Sequence, residues 1–173
     1  MQMTLYFRNV NQSDPEIQNE MREYIAAMSS LPQIEHLPDF CWVRDLHAFM
    51  TGEAAEEMDE DQARQVATIA AAIQGENRTF AEQLDMVLNI PAIRDVYGGD
   101  IVRDEAGEIL TSRCYLYVRN IDLKSISEQT QLLFDQRAVT TQFQPRLPQD
   151  GMNLPGKKGE LSFFGFDPLF YYW

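Results

Sequence analysis

The chain has 173 residues, 45% of them hydrophobic, and a formal net charge of −13 from 27 acidic against 14 basic side chains. That size and apolar content bound one domain with a real core. A surface so acidic repels phosphate backbones and anionic leaflets, which argues against nucleic acid as a partner, and no apolar run reaches the ~18 residues of a membrane span. From the N-terminus, Thr4 to Val10 alternates Leu5 and Phe7 with Tyr6 and Arg8, a strand pattern entered with no signal-peptide signature. Asp14 and Pro15 are suited to the cap and first turn of a helix. The spacing of Ile17, Met21, Tyr24, Ile25 and Met28 predicts that helix over about residues 15–29.

A different character begins at about residue 36 and lasts to about residue 98. Pro32 and Pro38 punctuate a linker, and Val43 to Met50 predicts a short helix presenting Leu46, Phe49 and Met50. A second helix is expected from about Asp59 to Gln74, ended by Gly75. Thr79 with Glu82 has capping-box spacing and predicts a third helix, with Phe80, Leu84, Val87 and Leu88 on one face, stopping before Pro91. Three helices between two strand-bearing portions read as an insertion. The run Glu53, Glu56, Glu57, Asp59, Glu60 and Asp61 reads as a solubilising helix face or N-terminus.

Strand chemistry then returns. Asp100 to Arg103 predicts a short strand, Asp104 to Gly107 a hairpin turn, and Ile109 to Arg119 a longer strand. A helix is expected from Ser125 to about Val139 with Ile126, Leu132, Leu133 and Val139 buried. After a Pro- and Gly-containing loop, Leu161 to Phe166 reads as a last strand. Without the insertion the order is β-α-β-β-α-β, which predicts an α+β, ferredoxin-like split βαβ fold over a single domain of residues 1–173.

The search for chemistry yields little. His36, Cys41, Asp45 and His47 match no metal-ligand spacing, so no metal site is expected. Cys41 lies between Phe40 and Trp42, a setting that disfavours a thiolate, and no Gly-x-Ser-x-Gly elbow is present. Gly156-Lys157-Lys158-Gly159 lacks the strand-to-helix context of a phosphate loop. No catalytic residue and no cofactor are expected. Cys41 and Cys114 form either one bridge or two buried thiols; the unpaired state is favoured, since spacing carries no geometry. Asn11 and Asn77 head Asn-x-Ser/Thr triplets and are candidate glycosylation sites. Phe163 to Trp173 gathers seven aromatic residues, and after Asp167-Pro168 the apolar run Leu169 to Trp173 reads as the approach to a membrane helix, as if the chain were cut there.

The order of four stretches resembles the second extracytoplasmic loop of the Patched/Niemann–Pick type C/Dispatched family within the resistance–nodulation–division (RND) transporter superfamily. Phe40-Cys41-Trp42-Val43-Arg44-Asp45 is similar to a segment after the family's first strand–helix unit, and Phe80 to Pro91 to the helix before its second strand. Ile109-Leu110-Thr111-Ser112-Arg113-Cys114 resembles a strand opening of the family. Phe163 to Trp173 resembles the run into the next membrane helix. The family loop is often cysteine-rich, whereas this chain has two cysteines.

The resemblance implies a non-catalytic porter-type domain on the lumenal or extracellular side of a membrane. Its partners would be the first ectodomain and membrane helices of the same transporter, with a sterol or lipid as substrate. Ion-coupling residues would lie outside this chain. Phe40, Trp42, Leu46, Phe49 and Met50 are the candidates for a conduit or partner surface, with the insertion's own core as the competing reading. A stand-alone ligand- or protein-binding module on the same fold is the alternative.

Overall fold

The computed structural model describes residues 2–8, 10–35, 41–53, 59–74, 78–119, 121–122, 124–147 and 162–164. Chain order begins with strand β1 (Gln2–Arg8) and helix α1 (Pro15–Ser29), then four consecutive helices: α2 (Trp42–Thr51), α3 (Glu60–Ile73), α4 (Phe80–Leu88) and α5 (Pro91–Tyr97). Strands β2 (Ile101–Arg103) and β3 (Ile109–Tyr117), helix α6 (Ile126–Phe143) and strand β4 (Ser162–Phe164) follow.

The four strands form one sheet in the order β2-β3-β1-β4, every neighbouring pair antiparallel. Alternation decides its two faces. Met3, Leu5 and Phe7 of β1 are buried and lie opposite Leu116, Cys114 and Ser112 of β3. Thr4, Tyr6 and Arg8, with their partners Tyr115, Arg113 and Thr111, form the other, half-buried face. A one-residue slip would exchange these sets, so the apolar pattern holds the register. The β2–β3 turn is built by Asp104, whose Oδ1 accepts from the backbone N–H of Ala106 and of Glu108, both at 2.9 Å. Gly107 takes the left-handed φ of +88° that this turn requires.

Helix α1 starts as its sequence predicts: the Asp14 carboxylate accepts from Glu16 N–H at 2.8 Å, Pro15 opens the first turn, and Met21, Tyr24, Ile25 and Met28 are buried. Tyr24 meets Phe7 edge-on at 6.0 Å between ring centroids and Phe143 at 5.5 Å, joining α1, β1 and α6. The buried stripe of α6 departs from expectation. Leu132, Gln136, Thr140 and Phe143 face inward, while Ile126 is 61% exposed. Polar groups fill that stripe because each finds a partner: Thr140 and the Tyr24 hydroxyl are 2.9 Å apart, and Gln136 Nε2 donates to Met3 Sδ at 2.7 Å.

Helices α2 and α4 of the insertion share the main core, since Cys41, Trp42, Val43 and Leu84 belong to the same buried cluster as the sheet and α1, and Tyr97 of α5 packs against it. Helix α4 carries the predicted capping box, with Thr79 and Glu82 bonded reciprocally. Those bonds from Thr79, its backbone N–H first, hold the Glu82 carboxyl below the usual carboxylate range. Helix α5 is a further difference from the sequence reading, which ended helical structure before Pro91. Pro91 instead opens a new helix, because its missing N–H and fixed φ suit a first turn.

The cysteines also depart from the expected unpaired state. Cys41, at the N-cap of α2, and Cys114, on β3, form a disulfide with Cα atoms 4.5 Å apart across 73 residues of sequence. Their side chains meet because Cys114 lies on the inward face of β3 and the chain enters α2 directly over it; both residues are fully buried. The bridge closes a long loop and pins the insertion to the sheet.

Candidate functional site

Beside that bridge lies a pocket of about 180 Å³ between α2, α4 and α5, with Ile101 at the start of β2 in its wall. Helix α2 supplies Trp42, Asp45, Leu46 and Phe49, at spacings of three, one and three that put them along one side of the helix. Helix α4 adds Leu84, Val87 and Leu88 from its predicted apolar face, and α5 adds Ile93 and Tyr97. Eight of these ten residues are carbon-lined or indole-bearing, so the wall is apolar except where Asp45 and Tyr97 meet.

That polar pair is satisfied internally. The Tyr97 hydroxyl donates to Asp45 Oδ2. Arg44 holds the other carboxylate oxygen, with Nε at 2.9 Å and an Nη at 2.8 Å. Burial, and then the bond to Asp45, push the Tyr97 phenol well above its ordinary value, so it remains a neutral donor. Trp42 differs. It is 2% exposed, and its indole N–H has no hydrogen-bond partner among the described residues.

The residues proposed from sequence fall as follows. Trp42, Leu46 and Phe49 come together on the pocket. Met50 lies in a neighbouring recess of about 250 Å³, which it shares with Leu46, His47 and Phe80. Phe40 lies outside the described residues, as does Asn77. Asn11 is exposed in the turn after β1, where its side-chain oxygen accepts from Ser13 N–H at 3.2 Å. Of the residues weighed for a metal site, Cys41 is in the disulfide, Asp45 is held by Arg44 and Tyr97, and His47 Nδ1 is 3.9 Å from Glu53. His36 lies outside the described residues.

Sequence reasoning missed Ile93 and Tyr97 because it missed α5. The available signal was Pro91 followed by Ile93, Val96 and Tyr97 at helical spacing. It also missed a polar cluster on the half-buried face of the sheet. Asp100, 6% exposed, accepts from Arg113 Nε at 2.6 Å and from the Tyr115 hydroxyl at 2.8 Å, and the Arg113 guanidinium lies 5.3 Å from the Tyr115 ring centre. Desolvation, then Asp100, raise the Tyr115 phenol to about 12.

Among the described residues, no group of three or more His, Cys, Asp or Glu could hold a metal ion, and no helix is long and apolar enough to cross a membrane. Comparison with protein-family models, curated proteins and solved structures finds no match to this chain. The chain is a mixed α+β protein in which three of the four inserted helices, α2, α4 and α5, line an apolar pocket beside a disulfide that ties the start of α2 to the sheet.

Proposed function

We propose that this chain is a non-catalytic, extracytoplasmic porter-type domain of a Patched-like RND-superfamily transporter, built on a ferredoxin-like split βαβ core. The observation that carries the reading is the sheet order β2-β3-β1-β4 with all pairs antiparallel, and with α1 and α6 as the two helical links once the insertion is set aside. A β-α-β-β-α-β chain reaches that order when each helix returns the chain past one intervening strand. Two further features support it. A disulfide buried between insertion and sheet suits an oxidising compartment. The pocket's two titratable groups are bonded to each other, which leaves no free acid–base pair and favours binding over catalysis.

In this reading, Trp42, Leu46, Phe49 and Met50 contribute to a sterol or lipid conduit or to a surface for the rest of the transporter. The alternative, a stand-alone binding module, uses the same pocket without a membrane. The reading frame around residues 1–173 and the behaviour of the full-length product separate the two. The porter reading expects apolar spans of about 20 residues flanking the domain and a product that stays with membranes through an alkaline carbonate wash. A full-length product released to the supernatant would leave the binding module and remove the transporter.

A further inference from the structure

Asn11 heads an Asn-x-Ser triplet in the turn that links β1 to α1, and the fold leaves it open to modification. It is exposed between two buried neighbours, Val10 and Gln12. The Asp14 N–H closes the turn by donating to the Asn11 carbonyl at 3.1 Å. Asn11 Oδ1 accepts from Ser13 N–H at 3.2 Å, and its Nδ2 makes no hydrogen bond among the described residues. The nitrogen that would carry a sugar is therefore unspent, and an N-linked amide keeps the carbonyl oxygen that holds the turn. Ser13, the third residue of the triplet, donates its hydroxyl to Glu108 Oε2 at 2.9 Å. Glu108 lies 95 residues further along the chain, so that bond does not compete for Ser13 while the triplet is newly made.

Sheet register sets where this turn stands. Strand β4 runs antiparallel to β1, with Phe164 opposite Thr4 and Ser162 opposite Tyr6. The end of β4 thus lies near the start of β1, and the β1–α1 turn lies at the other end of the sheet. The β2–β3 turn is at that same end, since Arg8 pairs with Thr111. The 7 residues of β1 span roughly 20 Å at the usual rise per residue. In the porter reading both flanks of the domain run to membrane spans, which makes the end bearing Asn11 the one far from the membrane.

We infer that Asn11 is an N-glycosylation site at the membrane-distal tip of the domain. The inference rests on the porter-domain reading, which supplies the extracytoplasmic compartment. The donor is an oligosaccharide carried on a polyprenyl diphosphate. Asn11 Nδ2 forms a bond to the anomeric carbon of the sugar and gives up one proton. The bond from that carbon to the diphosphate oxygen breaks, and the polyprenyl diphosphate leaves with the electron pair. A bulky, hydrophilic group at this tip keeps it in water and out of close packing with the rest of the transporter.

The test uses the full-length product made in sealed microsomes that supply that donor, restricted to copies whose domain survives protease added outside. An amidase that removes N-glycans leaves aspartate at residue 11, a mass change read on the tryptic peptide 9–22 between Arg8 and Arg22. Residue 11 should carry a glycan. Asn11→Gln and Ser13→Ala should each abolish it, with a gain in gel mobility equal to one glycan. Ser13→Thr keeps the hydroxyl of the triplet and should keep the glycan.

Protected copies in which peptide 9–22 is found only unmodified overturn the inference and keep the porter reading. A modification of residue 11 that Ser13→Ala leaves in place overturns it as well. A domain digested in intact vesicles removes the porter reading, and the glycan with it.

Discussion

Tyr24 shows how one side chain can join three elements and carry a pH signature. It is 1% exposed, packs on Phe7 and Phe143, and shares a hydrogen bond with Thr140 at 2.9 Å. Burial raises its phenol from the ordinary 10.0 to about 12, with the Thr140 bond opposing that shift in part. Because the folded value lies above the unfolded one, the stabilisation is complete below pH 10 and is lost as pH rises toward 12. The loss attributable to Tyr24 is about 2–3 kcal/mol at the top of that window. Tyr24→Phe should therefore be slightly less stable at pH 8, for want of the Thr140 bond, yet lose less between pH 10 and 12. Urea unfolding at pH 8, 10 and 11 checks both signs; an alkaline slope unchanged by the substitution would mean that other groups carry it. Trp42 belongs to the same scale. Sequence marked it as an apolar candidate, but only the fold shows that its N–H is unpaired.

Among the elements, those with local signals were legible and those settled by tertiary contact were not. Helix α1 runs over the expected span because Asp14, Pro15 and an apolar stripe all agree. The same consistency located the Thr79–Glu82 start of α4. Helix α6 gave a misleading pattern: its buried stripe includes Gln136 and Thr140, whose partners Met3 and Tyr24 are more than a hundred residues away in sequence. Helix α5 was hidden by reading Pro91 only as a stop.

The disulfide was equally invisible, since a separation of 73 residues says nothing of distance. Its closed loop makes a large prediction. On chain-entropy grounds, replacing both cysteines by alanine should cost about 4 kcal/mol. Guanidinium unfolding of Cys41→Ala/Cys114→Ala against the parent measures this, and thiol titration of the denatured, unreduced parent should find no free thiol. The pocket should suffer with it, because α2 loses its anchor to β3 next to Trp42.

For the whole molecule, the candidate site was half legible. Leu46 and Phe49 were named from the face of a helix expected over Val43 to Met50, and Trp42 from the apolar residues just before it; all three line the pocket. The opposite wall needed α5, and the polar edge needed Tyr97 to reach Asp45 across 52 residues. The α+β class followed from periodicity, which survives in the alternating burial of β1 and β3. The sheet order depends on which strands meet, and that is decided by the shared apolar face of Met3, Leu5, Phe7, Cys114 and Leu116.

On the proposed porter reading, this fold with its bridged insertion lies on the far side of a membrane from the cytosol. Protease protection of the full-length product in sealed microsomes tests it most directly, with an antibody against residues 1–173 as the readout. The account predicts that the domain survives protease added outside the vesicles and is degraded once detergent opens them. Degradation in intact vesicles would place the domain on the cytosolic side and contradict the account.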